Sequence, residues 1–172
     1  MSDWAGYDLS FESYHAIPAR WSYESVIAEH RRLGGTFDIA GTPRQTVFPN
    51  GIVERRLWYN LADGARAGDA ACVELAVRFI EEHFIVSYSG YARARLARAL
   101  KRAALSPEQK RRLSTRFLAL LKRGERCHEF ESYLALWPVV INDADRKAVQ
   151  EPIAATAESA PAFHAKLVAA LA

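Results

Sequence analysis

Apolar residues recur at helical intervals along most of the chain, and the breaks between them carry recognisable caps. Ser22 suits the N-cap of a first helix to about Leu33, with Tyr23, Val26, Ile27 and His30 facing inward and Gly34-Gly35 ending it. Val53, Leu57, Leu61 and Ala65 fall every four residues and predict a second helix ending near Gly68, its contact surface widened by Trp58 and Tyr59. Asp69 then caps a third helix to about Phe84. Its residues Cys72, Val73, Leu75, Ala76, Val77, Phe79 and Ile80 cover more than half the circumference and leave only Glu74, Arg78, Glu81 and Glu82 as a polar stripe. Such a helix must be packed on two sides, so it is the expected centre of the core, with Glu74 and Arg78 as an i,i+4 pair on its wet edge.

The next two helices share a design. After a turn through Ser87 to Gly90, Ala92, Leu96, Ala99, Leu100 and Ala103 fall within a sector of about 100°, opposite Arg95, Arg98, Lys101 and Arg102. Ser106, Pro107 and Gln109 supply an N-cap, a proline at the first helical position and a capping-box glutamine for a fifth helix. There Leu113, Phe117, Leu120 and Leu121 face inward, Arg112, Arg116, Lys122 and Arg123 face outward, and Gly124 is the stop. The short connection at Ala104 to Ser106 predicts that these helices are antiparallel neighbours whose cationic flanks join.

Phe130, Tyr133, Leu134 and Trp137 mark a sixth helix, followed by Pro138. Asn142 or Asp143 caps a seventh, broken or reset at Pro152, and a last helix starts near Pro161 and buries Phe163, Leu167, Val168 and Leu171. The expected fold is all-α, with six to eight helices in antiparallel hairpins forming a bundle or a short stack. Two stretches lack the period. Residues 34–51 form a long loop with room for a small β-hairpin within 36–48, and residues 1–20 form an arm whose Trp4, Tyr7, Phe11 and Tyr14 dock over the helical body rather than stack on a ligand.

Composition leaves this picture intact: 172 residues, half hydrophobic and a quarter charged, suit one globular domain over 1–172. Two cysteines, Cys72 and Cys127, are too few for a disulfide framework and lack C-x-x-C spacing, so both are expected as reduced, buried thiols. There is no cationic leader followed by an apolar run and no stretch approaching the roughly 20 residues that span a bilayer, so a cytoplasmic protein without a membrane role is expected.

Charge changes the picture more. The modest net +3 hides a segregation: Gly90 to Arg126 holds twelve Lys/Arg against Glu108 and Glu125, while the rest holds 11 basic and 18 acidic residues. The ordinary reading of such a face is a solvated surface balanced by acids elsewhere. The functional reading is a binding face of Arg95, Arg98, Arg102, Arg112 and Arg116, flanked by Tyr88 and Tyr91 as aromatic anchors.

Chemical motifs are scarce. The chain has no G-x-S-x-G elbow, phosphate-binding loop, G-x-G-x-x-G or H-E-x-x-H. Cys127, His128, Glu129 and Glu131 include the residue types of a nucleophile or metal site, but adjacent helical residues point about 100° apart, and the tract reads as a helix start with acids near its N-terminus. Glu81, Glu82 and His83 lack a second histidine at i,i+3 or i,i+4 and read as a solvated helix end, and His30 reads as a hydrogen-bonded core residue. No catalytic, metal or cofactor-binding residue is assigned, and no cofactor is expected.

The successive hairpins from Gly68 to Trp137 resemble HEAT-like and other α-helical repeat proteins, and the chain is similar to small all-helical bacterial immunity-type proteins. That resemblance implies binding and blocking a cognate toxin. The favoured expectation is thus a protein-binding module, of the immunity or adaptor kind, that occludes an acidic partner through the basic hairpin while residues 34–51 add shape. A nucleic-acid-associated protein using the same face is the alternative, and an enzyme of unrecognised type the third.

Overall fold

A computed structural model describes residues 17–41, 51–86, 88–125 and 129–171. A 3-10 turn, Ala19–Trp21, leads into α1 (Tyr23–Arg32), followed by α2 (Gly51–Arg66), α3 (Ala70–Glu82), α4 (Ser89–Leu100), α5 (Pro107–Lys122) and α6 (Phe130–Val140). Three short helices, α7 (Asp143–Ala148), α8 (Gln150–Ala154) and α9 (Thr156–Ser159), lead to α10 (Pro161–Leu171). The fold is all-α, with no strand among the described residues. Residues 36–41 of the expected hairpin are irregular, residues 42–48 lie outside the described residues, and so does the aromatic set Trp4, Tyr7, Phe11 and Tyr14.

Local chemistry sets the helix starts. The side chains of Ser22, Asp69, Ser106 and Asn142 each accept from the backbone N–H three residues on, and Ser106 with Gln109 closes a reciprocal capping box. Gly124 ends α5 with φ +69, a left-handed conformation that costs a residue without Cβ little.

Helix α3 is the centre. Ala71, Cys72, Val73, Leu75, Ala76, Val77, Phe79 and Ile80 are all buried, and the helix packs against α1, α2, α4 and α5. At one end Phe79 meets Trp21, Phe84 and Trp58 with ring centroids 4.8, 4.9 and 5.0 Å away. A second aromatic group joins α5, α6 and α10: Phe117 stacks on Tyr133 at 4.8 Å, and Phe130 meets Phe163 at 5.2 Å.

Several details depart from local expectation. Helices α4 and α5 are not packing neighbours: contacts run from α3 to α4, α6, α5 and back to α3, so the two basic helices stand at opposite corners of a four-helix arrangement. The connection spans residues 101–106, longer than the expected Ala104 to Ser106, and does not fold α5 straight back onto α4. Helix α6 runs through Pro138 to Val140, although the proline lacks the N–H that Leu134 would receive. Val168, expected in the core, is exposed, whereas the reset expected near Pro152 is present: α7 ends at Ala148 and α8 restarts at Gln150 with the proline in its first turn. His83 is buried rather than solvated, because the chain turns inward there in a left-handed conformation.

Candidate interaction surface on helix α4

Helix α4 starts from an unusual corner. Tyr88 adopts φ +64, a region that bulky residues seldom occupy, and as the N-cap residue it supplies no side-chain cap of its own. Ser89 holds the corner instead: its hydroxyl accepts from the Val86 N–H at 3.0 Å and donates to the Val86 carbonyl at 2.8 Å. Ala92, Leu96, Ala97, Ala99 and Leu100 face inward, and the small alanines let α2 and α3 approach closely. Arg93 also points inward. It forms a buried ion pair with Glu129, the two side chains only 3% and 5% exposed, and donates to the Phe84 carbonyl.

The outer ridge follows from helical spacing. Tyr91, Arg95, Arg98 and Arg102 are separated by four, three and four residues, which places them in a sector of about 60°. Lys101 keeps helical dihedrals beyond Leu100, so Arg102 continues the line. Tyr91 is 62% exposed and Tyr88 45% exposed, their rings 6.3 Å apart at the upper end of the ridge.

The cations differ sharply in what they face. Arg95 lies over the Tyr59 ring at 5.0 Å and reaches Asp63 at 2.9 Å, and Arg66 shares that carboxylate at 2.6 Å. On α5, Arg112 bridges Glu74 at 3.0 Å and Glu81, while Gln109 donates to Glu74 at 3.0 Å. The network continues through Arg78, 2.7 Å from both Glu74 and Glu29, to Arg32, 2.6 Å from Glu29. Hydrogen bonds from Arg32, opposed by burial, hold the Glu29 carboxyl down to about 2. Burial works to raise Glu74, yet donation by Gln109, Arg78 and Arg112 outweighs it and holds Glu74 low, and hydrogen bonding to Glu81 leads the effects that tighten the proton on Arg112. Arg111 is paired with Glu108 at 2.6 Å. By contrast, among the described residues no ion pair involves Arg98, Lys101 or Arg102, and all three are exposed. Arg116 is half-buried, and its Nε has no hydrogen-bond partner among the described residues.

The expected basic face is therefore divided. Tyr88, Tyr91, Arg95, Arg98 and Arg102 share the α4 ridge, whereas Arg112 and Arg116 belong to α5 at the opposite corner, with Arg112 turned toward α3. Of the other cluster considered, Cys127 and His128 lie outside the described residues, Glu129 is the partner of Arg93, and exposed Glu131 pairs with Lys166.

Two buried histidines complete the polar interior. His83 lies 3.7 Å from Glu125, yet burial, and then the charges of Arg93, Arg116 and Arg123, push its pKa down to about 3, so the ring is neutral at pH 7. His30, hydrogen-bonded in the core as expected, directs Nε2 to Asp69 Oδ1 at 3.2 Å and to Cys72 Sγ at 3.4 Å. Asp69 also accepts from the backbone N–H groups of Thr36, Phe37 and Cys72 at 2.7, 2.9 and 2.8 Å, clasping the loop after α1 to the start of α3. Burial opposes the Asp69 charge, but these N–H donors hold its carboxyl well below the usual range. Burial and the Asp69 charge push the Cys72 thiol well up, so it is no nucleophile at neutral pH. Sequence spacing shows Asp69 and Cys72 on one helix turn; no local signal brings His30, 39 residues before Asp69, to meet them.

Comparison with protein-family models, curated proteins and solved structures finds no match to this chain. None of the described helices is long and apolar enough to cross a membrane.

Proposed function

We propose that the chain is a protein-binding module, of the immunity or adaptor kind, that docks an acidic partner on the ridge of α4. One observation carries this reading. Arg98 and Arg102 are exposed without an ion pair among the described residues, in line with exposed Tyr91, and Lys101 beside that line is likewise exposed, while Arg93, Arg95 and Arg112 are held by the protein's own carboxylates. Guanidinium groups offer planar pairs of donors that match carboxylates, and a tyrosine at the end of the row supplies contact area that loses little entropy on binding. The mechanism is occlusion: the ridge covers an acidic surface of the partner, and complementary charge accelerates encounter. Arg112 acts indirectly, fixing α5 to α3 so that the four-helix frame presents α4 rigidly.

Charge reversal tests this directly. Wild type and an Arg111→Glu control, altered on an exposed but paired cation, should retain the same discrete acidic protein from host extract, and an Arg98→Glu/Arg102→Glu variant should lose it. Identical capture by all three overturns the proposal. Duplex DNA is the competing target: three ridge cations on phosphates would give a log affinity against log salt slope of about −3, and finding that dependence without acidic-protein capture would transfer the ridge to nucleic acid.

A further inference from the structure

The geometry at His30, Asp69 and Cys72 points to a second site, and we propose that it binds a borderline-soft divalent cation of the zinc type. Three donor atoms of different chemistry, an imidazole nitrogen, a carboxylate oxygen and a thiol sulfur, lie within 4.8 Å of one another in the interior. Ligand atoms about 2.0 to 2.3 Å from a tetrahedral zinc stand roughly 3.3 to 3.7 Å apart. The His30 to Asp69 and His30 to Cys72 separations, 3.2 and 3.4 Å, are close to those edges. Mixed nitrogen, oxygen and sulfur donors suit zinc better than magnesium or calcium, which prefer oxygen alone.

Two further features support ligation over a hydrogen-bond cluster that merely fills space. Asp69 Oδ2 is fixed by the Thr36 and Phe37 N–H groups, while Oδ1 accepts the Cys72 N–H at 2.8 Å and faces the imidazole with its remaining lone pair. This is the outer shell that orients a ligating carboxylate. Glycines also lie against both other donors: a Cβ on Gly35 would come within 2.1 Å of His30 Nε2, and one on Gly64 within 2.4 Å of Cys72 Sγ. No side chain can therefore be added on those faces without displacing a donor.

The arrangement does not suit a nucleophilic relay. In such a relay the carboxylate holds one ring nitrogen while the other nitrogen activates the thiol. Here Asp69 and Cys72 both address Nε2, which is how donors converge on one ion. Binding exchanges the Cys72 S–H bond for a sulfur–metal bond, and the proton passes to the buffer.

Chelator-treated protein titrated with Zn²⁺ should take up one ion per chain and melt at a higher temperature. With Co²⁺ as spectroscopic probe it should show a thiolate-to-metal charge-transfer band. Cys72→Ser keeps the shape of the side chain and should abolish the band, and Cys72→Ser and His30→Gln should each weaken Zn²⁺ binding on the order of 100-fold or more. Absence of stoichiometric uptake by the folded wild type overturns the site, as does equal uptake by a folded Cys72→Ser variant. If His30→Gln does not fold, the wild-type cobalt spectrum and Cys72→Ser decide the matter.

Discussion

Helices α4 and α5 share one plan, an alanine- and leucine-rich inner face backed by arginines, but their charges meet different surroundings. Two of the acids of α3 fall on the side of α5: Glu74 and Glu81 hold Arg112 and, through Arg78 and Glu29, extend the network to Arg32. Helix α4 takes Asp63 for Arg95 and Glu129 for Arg93, and leaves Arg98, Lys101 and Arg102 exposed without an ion pair among the described residues. Two helices of like composition thus divide the work, one clamping the frame and one presenting charge. Counting cations along a sequence overstates a binding face wherever a neighbouring helix supplies the counter-charge.

The contrast can be broken most severely inside α4. Glu129→Ala leaves Arg93 buried without its carboxylate and should cost about 3 to 5 kcal/mol, read as a lower denaturant midpoint. Glu129 Oε2 also stands 3.1 Å from where a Gly90 Cβ would be, so Gly90→Ala should push the carboxylate off its position and lower the midpoint in the same direction.

Next comes the point where cations of both helices converge on His83. Its folded pKa, lowered to about 3, lies below the ordinary 6.5, so the unfolded chain binds a proton first as pH falls. The associated stability is fully present above about pH 6.5 and is lost as pH drops toward 3, amounting to roughly 2 kcal/mol between pH 6.5 and 5. Thermal melts across that window should show the slope, and His83→Asn should flatten it, since asparagine tolerates the left-handed backbone found there.

The two surfaces themselves should separate more gently. Arg112→Ala strips Glu74 and Glu81 of a shared partner and should cost roughly 1 to 2 kcal/mol. Arg98→Ala and Arg102→Ala should each stay within about 0.5 kcal/mol of wild type by the same measurement, because surface positions without partners carry little folding energy. Equal losses at Arg112 and Arg98 would erase the distinction between clamp and ridge.

Much of this molecule is local and was therefore legible along the chain. The caps at Ser22, Asp69, Ser106 and Asn142 act over three residues, and the apolar circumference of α3 announces a helix packed on several sides. The ridge spacing of Tyr91, Arg95, Arg98 and Arg102 is likewise a property of one helix. Local rules fail where packing pays for an exception, as at Pro138, whose lost hydrogen bond is tolerated in a helix that buries Phe130, Tyr133, Leu134 and Trp137.

Sequence alone thus determined the helices, their starts, the core helix and the row of side chains along α4, because those depend on periodicity and on contacts within a turn. Tertiary structure decided which arginines are neutralised, since Arg112 finds Glu74 from 38 residues away, and it alone placed α4 and α5 at opposite corners. It also gathered His30 with Asp69 and Cys72 across 39 and 42 residues. Charge pairing and contacts such as these depend on distance in space, and no periodicity along the chain encodes that distance.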